Sequence, residues 1–361
     1  MYTFNLTENF LTADEQNIFN NYLLVSGLDP QIWKVFECLF NSRIKNTIPL
    51  VLRVYKDSEL CGVSIVIKCR KYGKALFNNK FLAGAFNIFN VPFYMWLKFG
   101  CCMDMMSNTG FVRNPEEYNE IVSAMMRYLK KNTILTVVTD YNINSSHYEK
   151  PSILPALPHA LINTSSMQSI NDYLAGHKNI KRKLKAFEKK GGKFILIKSK
   201  LNDHQLSSLK KCFIATSKKS VFYLPYQNLY LNSALTTSQT NIDNVYYFIA
   251  YLNDEFLGYQ AAIKTGNNLN ALHGAFDRNR STTYHAYDIL FVKMTEFAIE
   301  HGITKIDFGA VLNYTKQKMV NETIEMSYFL LSKFTIIQWI FENLLKITSI
   351  QSERQLKFRD Q

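Results

Sequence analysis

The chain of 361 residues lacks most of the short motifs that mark a particular catalytic chemistry. It has no GxSxG elbow, no P-loop and no HExxH motif, which excludes the enzyme classes built on them. Its six cysteines include no CxxC pair, and no histidine cluster has metal-ligand spacing, so no metal site is expected. We expect reduced, mostly buried thiols in a cytoplasmic protein.

Long apolar runs are also missing. The first residues, MYTFNLTENF, have neither the basic nor the apolar region of a signal peptide. Residues 81–97 are uncharged, but glycine, asparagine and proline interrupt them, and residues 334–341 are too few to cross a bilayer. We therefore expect no spanning segment. The aromatic residues 86–96 suit a buried strand and loop, or a patch that dips into lipid.

Charged residues make up only 20% of the chain, whereas hydrophobic residues reach 47% and aromatic residues 14%. This composition predicts a globular protein with a full core. The net charge is nevertheless +13. Such an excess favours an anionic partner, such as coenzyme A or a carrier phosphopantetheine, an anionic lipid or RNA.

Turn residues between apolar runs predict one hairpin in each half of the chain. The first joins residues 49–54 to 60–69, and the second joins residues 245–251 to 256–264. A further helix and strand follow each hairpin, and a proline-containing connection separates the halves. We predict two domains, at residues 1–150 and 165–346.

Residues 177–193 carry the strongest local charge. They hold eight lysines or arginines and one glutamate, an excess of +7. Ile180, Leu184 and Phe187 recur at helical spacing, which predicts an amphipathic helix with a basic outer face. We expect this face to contact an anionic donor, lipid head groups or tRNA. A purely solvated face is the alternative.

Residues 269–318 show the order strand, loop, helix, strand. An apolar run ends near Phe276, and a polar loop and an amphipathic helix follow it. A second apolar run then ends in Asp307-Phe308-Gly309. A loop at a helix N-terminus is a natural place for a phosphate group.

These features together resemble the GNAT-type acyltransferases, and more narrowly the tandem GNAT-like group of CelD-like and Fem peptidyltransferase-like proteins. The resemblance directly covers residues 176–318, from the basic helix to the Asp-Phe-Gly strand end. It implies an α/β fold of two tandem GNAT-like domains, each with a mixed, mostly antiparallel sheet flanked by helices.

The resemblance implies an N-acyltransferase that moves an acyl group from acyl-CoA or an acyl-carrier thioester to an amine. A lipid or cell-envelope precursor is the expected acceptor, and no permanently bound cofactor is expected. An aminoacyl-tRNA-dependent Fem-type peptidyltransferase is the alternative, although the helix after Gly176 lacks a partner long enough for the usual helical hairpin. A non-catalytic lipid- or polysaccharide-binding protein is a third interpretation.

The resemblance also implies site residues. The donor phosphates would lie against a glycine-free loop and a later lysine, whose side chains supply cations and hydroxyls: Arg278, Arg280, Ser281, Thr282, Thr283 and Lys316. The candidate catalytic residues are His273, His285, Tyr287 and Asp307. The plainer alternatives are a core histidine, a packing tyrosine and an aspartate that caps or pairs.

A membrane surface is a further expected partner. Basic side chains of the predicted helix would face anionic lipid together with the aromatic residues 86–96: Lys178, Lys181, Arg182, Lys183 and Lys185. This contact would place the protein peripherally on the inner face of the membrane.

Overall fold

The computed structural model describes residues 1–44, 46–70, 84, 92–96, 110–141, 153–155, 159–218, 227–277, 280, 283–310, 318–324 and 327–343. Within these residues, helices flank two mixed β-sheets, one of eight strands and one of seven. Both sheets are mostly antiparallel, as expected.

The first sheet has the strand order β1-β2-β3-β4-β6-β15-β7, with β5 paired to β3. Its one parallel pair among the described strands is β4 with β6. The strands are β1 (Tyr2–Thr7), β2 (Thr47–Lys56), β3 (Glu59–Cys69), β4 (Phe93–Trp96), β5 (Phe111–Val112), β6 (Thr136–Tyr141), β7 (Ile153–Pro155) and β15 (Ser327–Leu331).

The second sheet has the order β14-β8-β13-β12-β11-β10-β9. Here the parallel pair in the described residues is β12 with β13. The strands are β8 (His159–Asn163), β9 (Gly192–Lys198), β10 (Val245–Leu252), β11 (Glu255–Thr265), β12 (Asn268–Phe276), β13 (Lys305–Ala310) and β14 (Glu322–Ile324).

Ten helices cover these sheets in the described part of the chain. They are α1 (Ala13–Ile18), α2 (Asn20–Val25), α3 (Ile32–Asn41), α4 (Tyr118–Asn132), α5 (Ile170–Ala175), α6 (Lys178–Lys189), α7 (Asp203–Lys218), α8 (Gln227–Gln239), α9 (Ala286–Glu300) and α10 (residues 335–343). The amphipathic basic segment is thus helix α6, as its spacing predicts.

Both predicted hairpins are confirmed, β2–β3 and β10–β11. Each turn places two consecutive residues in the left-handed region: Asp57 and Ser58 at φ 52° and 69°, and Asn253 and Asp254 at φ 48° and 64°. Two left-handed residues match the twist of the flanking strands, and Asn and Asp tolerate that conformation well.

Some strands pair with a sheet on the other side of the predicted domain boundaries at residues 150 and 165. The boundaries themselves stay predictions. Strand β8 precedes residue 165 yet belongs to the second sheet, whereas β15 lies far beyond it yet pairs with β6 and β7 of the first. The sequence predicts none of β1, β5, β7, β8, β9, β14 and β15, and residues 141–158, which contain β7, read as a loop. These strands are short or lie at sheet edges, and their partners are distant in sequence.

One hydrophobic core runs from the first sheet to one face of the second. Helix α3 packs against α8, and two polar contacts join them: Cys38 Sγ donates to Thr240 Oγ1 at 3.5 Å, and Ser42 Oγ lies 3.1 Å from Thr236 Oγ1. A second core fills the other face of the second sheet, beneath α5, α6 and α9. The second sheet is therefore covered on both faces.

Several expectations concern composition rather than topology. Cys38, Cys61, Cys69 and Cys212 are buried and form no disulfide. The described residues contain no group of three or more His, Cys, Asp or Glu side chains arranged for a metal ion. None of the described helices is long and apolar enough to cross a membrane. Most of the aromatic stretch 86–96 lies outside the described residues, although Phe93 is buried in β4.

Candidate functional site

A wedge opens between the parallel strands β12 and β13. Register pairs join Asn268–Asn270 to Lys305–Asp307, and the described residues show no further pair, although β12 continues to Phe276 and β13 to Ala310. Where the two strands separate, backbone N–H and C=O groups along their edges need hydrogen-bond partners other than the facing strand. An extended ligand that pairs with a strand edge fits such a gap.

A β-bulge lies on β12 inside this wedge. Ala261 of β11 faces His273, whereas the next residue, Ala262, faces Ala271, so Leu272 is the extra residue. A bulge bends its strand, raises the local twist and occurs often beside active sites. It thus helps to turn β12 away from β13.

Asp307 stands at the apex of the wedge and shapes the end of β13. Its Oδ1 accepts a hydrogen bond from the Gly309 N–H at 2.6 Å, and Gly309 adopts φ 70°, which favours glycine. The pairing of β13 with β8 shifts register between Asp307 and Ala310. The Asp-Phe-Gly motif is therefore a distortion within the last residues of β13, which helps to direct the strand away from β12.

His159 of β8 completes this apex, although no sequence pattern predicts its role. Its Nδ1 lies 3.3 Å from Asp307 Oδ2, and both side chains are buried. A single histidine after a proline carries no recognisable pattern. Only the pairing of β8 with β13 brings it to Asp307.

His273 lies in the core that joins the two sheets. Its Nδ1 is 3.0 Å from the Tyr259 hydroxyl, its ring lies near Tyr247, and its Nε2 is buried with no hydrogen-bond partner among the described residues. Burial lowers the pKa of His273 to about 3, so the ring is neutral at pH 7. This environment agrees with the core-histidine alternative, and a role as general base stays a prediction.

The start of α9 lies beside the basic helix α6. Lys183 Nζ donates to Asp288 Oδ2 at 2.5 Å, and Lys190 Nζ lies 5.3 Å from the centre of the Tyr284 ring. His285, the residue before α9, adopts the left-handed φ of 57°, and its Nδ1 is 3.9 Å from Asp288 Oδ2. The positive end of the α9 dipole and two lysines therefore meet at one place.

Burial, followed by the positive charges of Lys183 and Lys190, lowers the pKa of His285. Asp288 acts in the opposite direction. His285 is thus a neutral, half-exposed imidazole at neutral pH, next to a cationic surface. An anion bound at this surface would raise the pKa of His285 again.

The predicted phosphate loop leads into this helix start. Arg280 forms an ion pair with Glu255 at the start of β11, and Thr283 is exposed just before α9. Arg278, Ser281, Thr282 and Lys316 lie outside the described residues, so their roles stay predictions. Tyr287 is half-buried and packs between Phe276 and Phe291, as its plainer alternative proposes.

The four candidate catalytic residues fall into two groups on opposite sides of the second sheet. Phe308 stacks on Phe291 of α9 at 3.8 Å between ring centres. Because neighbouring side chains of a strand alternate, Asp307 points to the other side. His273 also lies there, against Tyr259 and Tyr247, whereas His285 and Tyr287 belong to the α9 side.

The outer face of α6 is solvent-exposed. Its free surface includes Lys178, Lys181, Arg182 and Lys185, whereas Lys183 is half-buried in its ion pair. Ile180 and Phe187 are buried against the second sheet and its helices. The helix therefore has the predicted apolar seam and basic face, and one lysine also anchors α9.

A separate cleft of about 640 Å³ lies over the β2–β3 turn, in the first sheet. Two ion pairs occupy its walls, Lys56–Glu117 at 2.7 Å and Arg113–Glu59 at 2.5 Å. The polar groups of these walls thus contact one another. The wedge and the α9 start are the better candidate site, since they combine available strand edges with a cationic surface.

The segment that contains this site matches a known family model. Residues 175–316 match the family model described as the acetyltransferase (GNAT) domain, a segment that includes α6, the wedge and α9. A comparison with curated proteins found no significant match.

Solved structures share the fold of nearly the whole chain. L-PGS from Bacillus licheniformis superposes with a TM-score of 0.56 at 9% identity, covering 93% of this chain and 97% of that one. The C-terminal domain of a suggested lysylphosphatidylglycerol synthetase from Agrobacterium fabrum gives 0.55 at 9% identity, with 93% and 96% covered. FemX gives 0.49 at 12% identity, with 82% and 91% covered.

The family match and the shared fold confirm the predicted fold class, a tandem α/β architecture with a GNAT-type domain over residues 175–316. The family match also supports the resemblance to the GNAT-type acyltransferases. At identities near 10%, the solved structures show the fold alone.

Proposed function

We propose that this protein is an acyltransferase that moves an acyl group from a thioester donor, either acyl-CoA or an acyl-carrier protein, to an amine. The observation that carries the proposal is the wedge between β12 and β13, with the cationic start of α9 at its side. The family match supports it because the GNAT domain covers both parts.

The wedge suits the acyl end of such a donor. The free edge of β12 beyond Asn270 offers backbone N–H groups to a thioester carbonyl, which becomes an oxyanion when the amine attacks. The new C–N bond forms as the C–S bond breaks, and the amine gives up a proton while the thiolate gains one. The products are an amide and a free thiol.

The start of α9 suits the phosphate end. Lys183, Lys190 and the helix dipole provide positive charge, and the loop of residues 278–283 leads directly to it. Among the candidate catalytic residues, Asp307 is the one that register places at the apex of the wedge. We assign it to holding the acceptor amine, with His159 behind it.

Donor binding tests this arrangement. Lys190→Glu should weaken coenzyme A binding about tenfold, because it replaces a cation near the phosphates with an anion. Lys185→Glu is the matched control: it makes the same charge change on the exposed far side of α6 and should change the affinity by less than about threefold. Calorimetry at fixed ionic strength measures both variants.

Equal affinity of the Lys190→Glu variant and the parent for coenzyme A would show that the donor site is misplaced. Thiol release from acyl-CoA in the presence of an amine panel then separates catalysis from binding alone. Donor binding without thiol release for any amine would favour the non-catalytic interpretation.

The exposed basic face of α6 favours a second candidate, transfer of an aminoacyl group from tRNA. One structural neighbour carries a name that joins a lysyl group to phosphatidylglycerol. A Fem-type enzyme is also the alternative that the sequence predicts. Binding of tRNA would depend on the whole basic face and fall steeply with salt. Lys185→Glu and Lys190→Glu should then weaken tRNA binding equally. In contrast, coenzyme A binding should be weakened by Lys190→Glu alone.

A further inference from the structure

The helix α10 has its polarity reversed relative to an ordinary surface helix. Its solvent side presents Ile336, Trp339 and Ile340, which are 69%, 63% and 40% exposed. These positions repeat at i, i+3 and i+4, so they form one continuous apolar stripe. Phe334, which precedes the helix, is also 45% exposed.

Polar residues of α10 instead face the protein. Gln338 Nε2 donates to Glu342 Oε1 at 2.9 Å, and Glu342 is only 7% exposed. Phe341 packs on the main core between them. A helix that turns a carboxylate inward and a tryptophan outward is adapted to a non-aqueous surface on its outer side.

Lysines surround the start of this helix. The Lys333 N–H donates to the Thr133 carbonyl at 3.2 Å, which fixes α10 to the end of α4. The last turn of α4 carries Lys130 and Lys131, and all three lysines are exposed. An apolar stripe bordered by cations matches the boundary between acyl chains and anionic head groups.

We propose that α10 and the adjacent end of α4 form a docking surface for an anionic lipid bilayer, with Trp339 at the head-group boundary. This surface is distinct from the basic face of α6. Docking through it does not depend on which reaction takes place at the wedge, so the inference goes beyond acyl transfer. Charge selects the lipid, since the lysines prefer an anionic leaflet, and tryptophan is enriched at membrane interfaces. A second copy of this chain would bring its own lysines against these lysines.

Flotation with vesicles tests the proposal. The full chain should bind phosphatidylcholine vesicles with about 30% phosphatidylglycerol at about 50 mM salt, and bind neutral phosphatidylcholine vesicles at least about tenfold more weakly. The triple variant Ile336→Ser, Trp339→Ser, Ile340→Ser should reduce partitioning at least about tenfold. The replaced side chains are exposed, so the fold should tolerate the change.

Two matched controls make the comparison specific. Leu24→Ser with Val25→Ser removes similarly exposed apolar side chains from α2, 65% and 69% exposed, and should bind as the parent does. Lys130→Glu with Lys131→Glu should weaken binding about tenfold or more. Lys210→Glu with Lys211→Glu, an exposed pair on α7, should not.

Fluorescence supplies a second readout. Vesicles should shift the emission of the parent to shorter wavelength, and Trp339→Phe should abolish the shift. Absence of parent binding to anionic vesicles overturns the proposal, as does equal loss of binding in the α2 control and the α10 variant. A parent that is dimeric by light scattering, with an α10 variant that is monomeric, would also overturn it and assign the stripe to a second copy.

Discussion

At the scale of single residues, Arg53 is the clearest example of a buried charge that the fold has fully satisfied. It is 6% exposed, and its guanidinium donates hydrogen bonds to both carboxylate oxygens of Glu15, at 2.7 and 2.9 Å. It also donates to the Thr7 hydroxyl and to the carbonyls of Asn9 and Phe10. One side chain thus ties β2 to β1 and to the start of α1.

We expect Arg53→Met to lower the free energy of unfolding by about 3 kcal/mol, because it leaves the Glu15 carboxylate without its partner. Urea unfolding monitored by circular dichroism measures the change. The control is Arg43→Met, which breaks the exposed Arg43–Glu8 pair and should cost less than about 1 kcal/mol. Equal costs for the two variants would contradict this account.

The same ion pair gives a pH dependence of known sign. The Arg53 hydrogen bonds hold the pKa of Glu15 below its ordinary value of 4.5. The pair therefore contributes its full stability above that value, and the contribution is lost as the pH falls through the lower, folded pKa. The stability difference between the parent and Glu15→Gln should accordingly shrink on acidification below pH 4.5.

At the scale of elements, the contact between α6 and α9 includes one half-buried ion pair. Asp288 is 4% exposed in the first turn of α9, and Lys183 is its cation. Lys183→Met should destabilise the protein by about 2 kcal/mol, since the buried carboxylate remains. The double variant Lys183→Met, Asp288→Leu should recover part of this loss in thermal and urea unfolding.

A control for that cycle is the exposed pair between Lys193 of β9 and Asp254 of the β10–β11 turn, at 2.9 Å. Lys193→Met should change stability by less than about 1 kcal/mol. Additive effects at Lys183 and Asp288 would mean that the two helices pack without help from this pair.

The elements that the sequence predicts well are those whose signals are local. The β2–β3 and β10–β11 turns combine Asp, Ser or Asn with flanking apolar runs, and α5 begins with a Ser169 capping box. The apex of the wedge could not be predicted in this way. Asp307 was identified through its motif, but His159 reaches it only through strand pairing across 148 positions.

The cationic site was predictable in part for the same reason. Residue spacing identified α6 as a basic helix, but its contact with α9 depends on a lysine and an aspartate 105 positions apart. The reversed polarity of α10 could not be predicted from the sequence either. Its sequence shows apolar residues at helical spacing, and only the packed structure shows which side faces the protein.

At the scale of the whole molecule, the two sheets share one hydrophobic core. One core contains residues of both sheets, and β15 carries the C-terminal part of the chain back into the first sheet. We expect the full chain to unfold in one thermal transition. Fragments 1–150 and 165–346 should each lack a cooperative transition by circular dichroism.

Co-expression of residues 1–150 with residues 151–346 is the control, because the second piece supplies β7 and β15 to the first sheet and keeps β8 in the second. The pair should then copurify and regain a cooperative transition. Two well-separated transitions in the full chain, or a stable fragment 1–150, would show that the sheets fold independently.

The position of β15 also has a consequence for synthesis on the ribosome. Strands β6 and β7 are not neighbours until β15 enters between them, and its last residue is Leu331. At about 5–20 residues per second, translation from Pro155 to Leu331 takes about 9–35 s. During that time the nascent first sheet has an open edge at β6, which is a site for faulty strand pairing. The slowest codons, and the chaperones that bind nascent chains, would therefore affect the yield of this protein most strongly between those two residues.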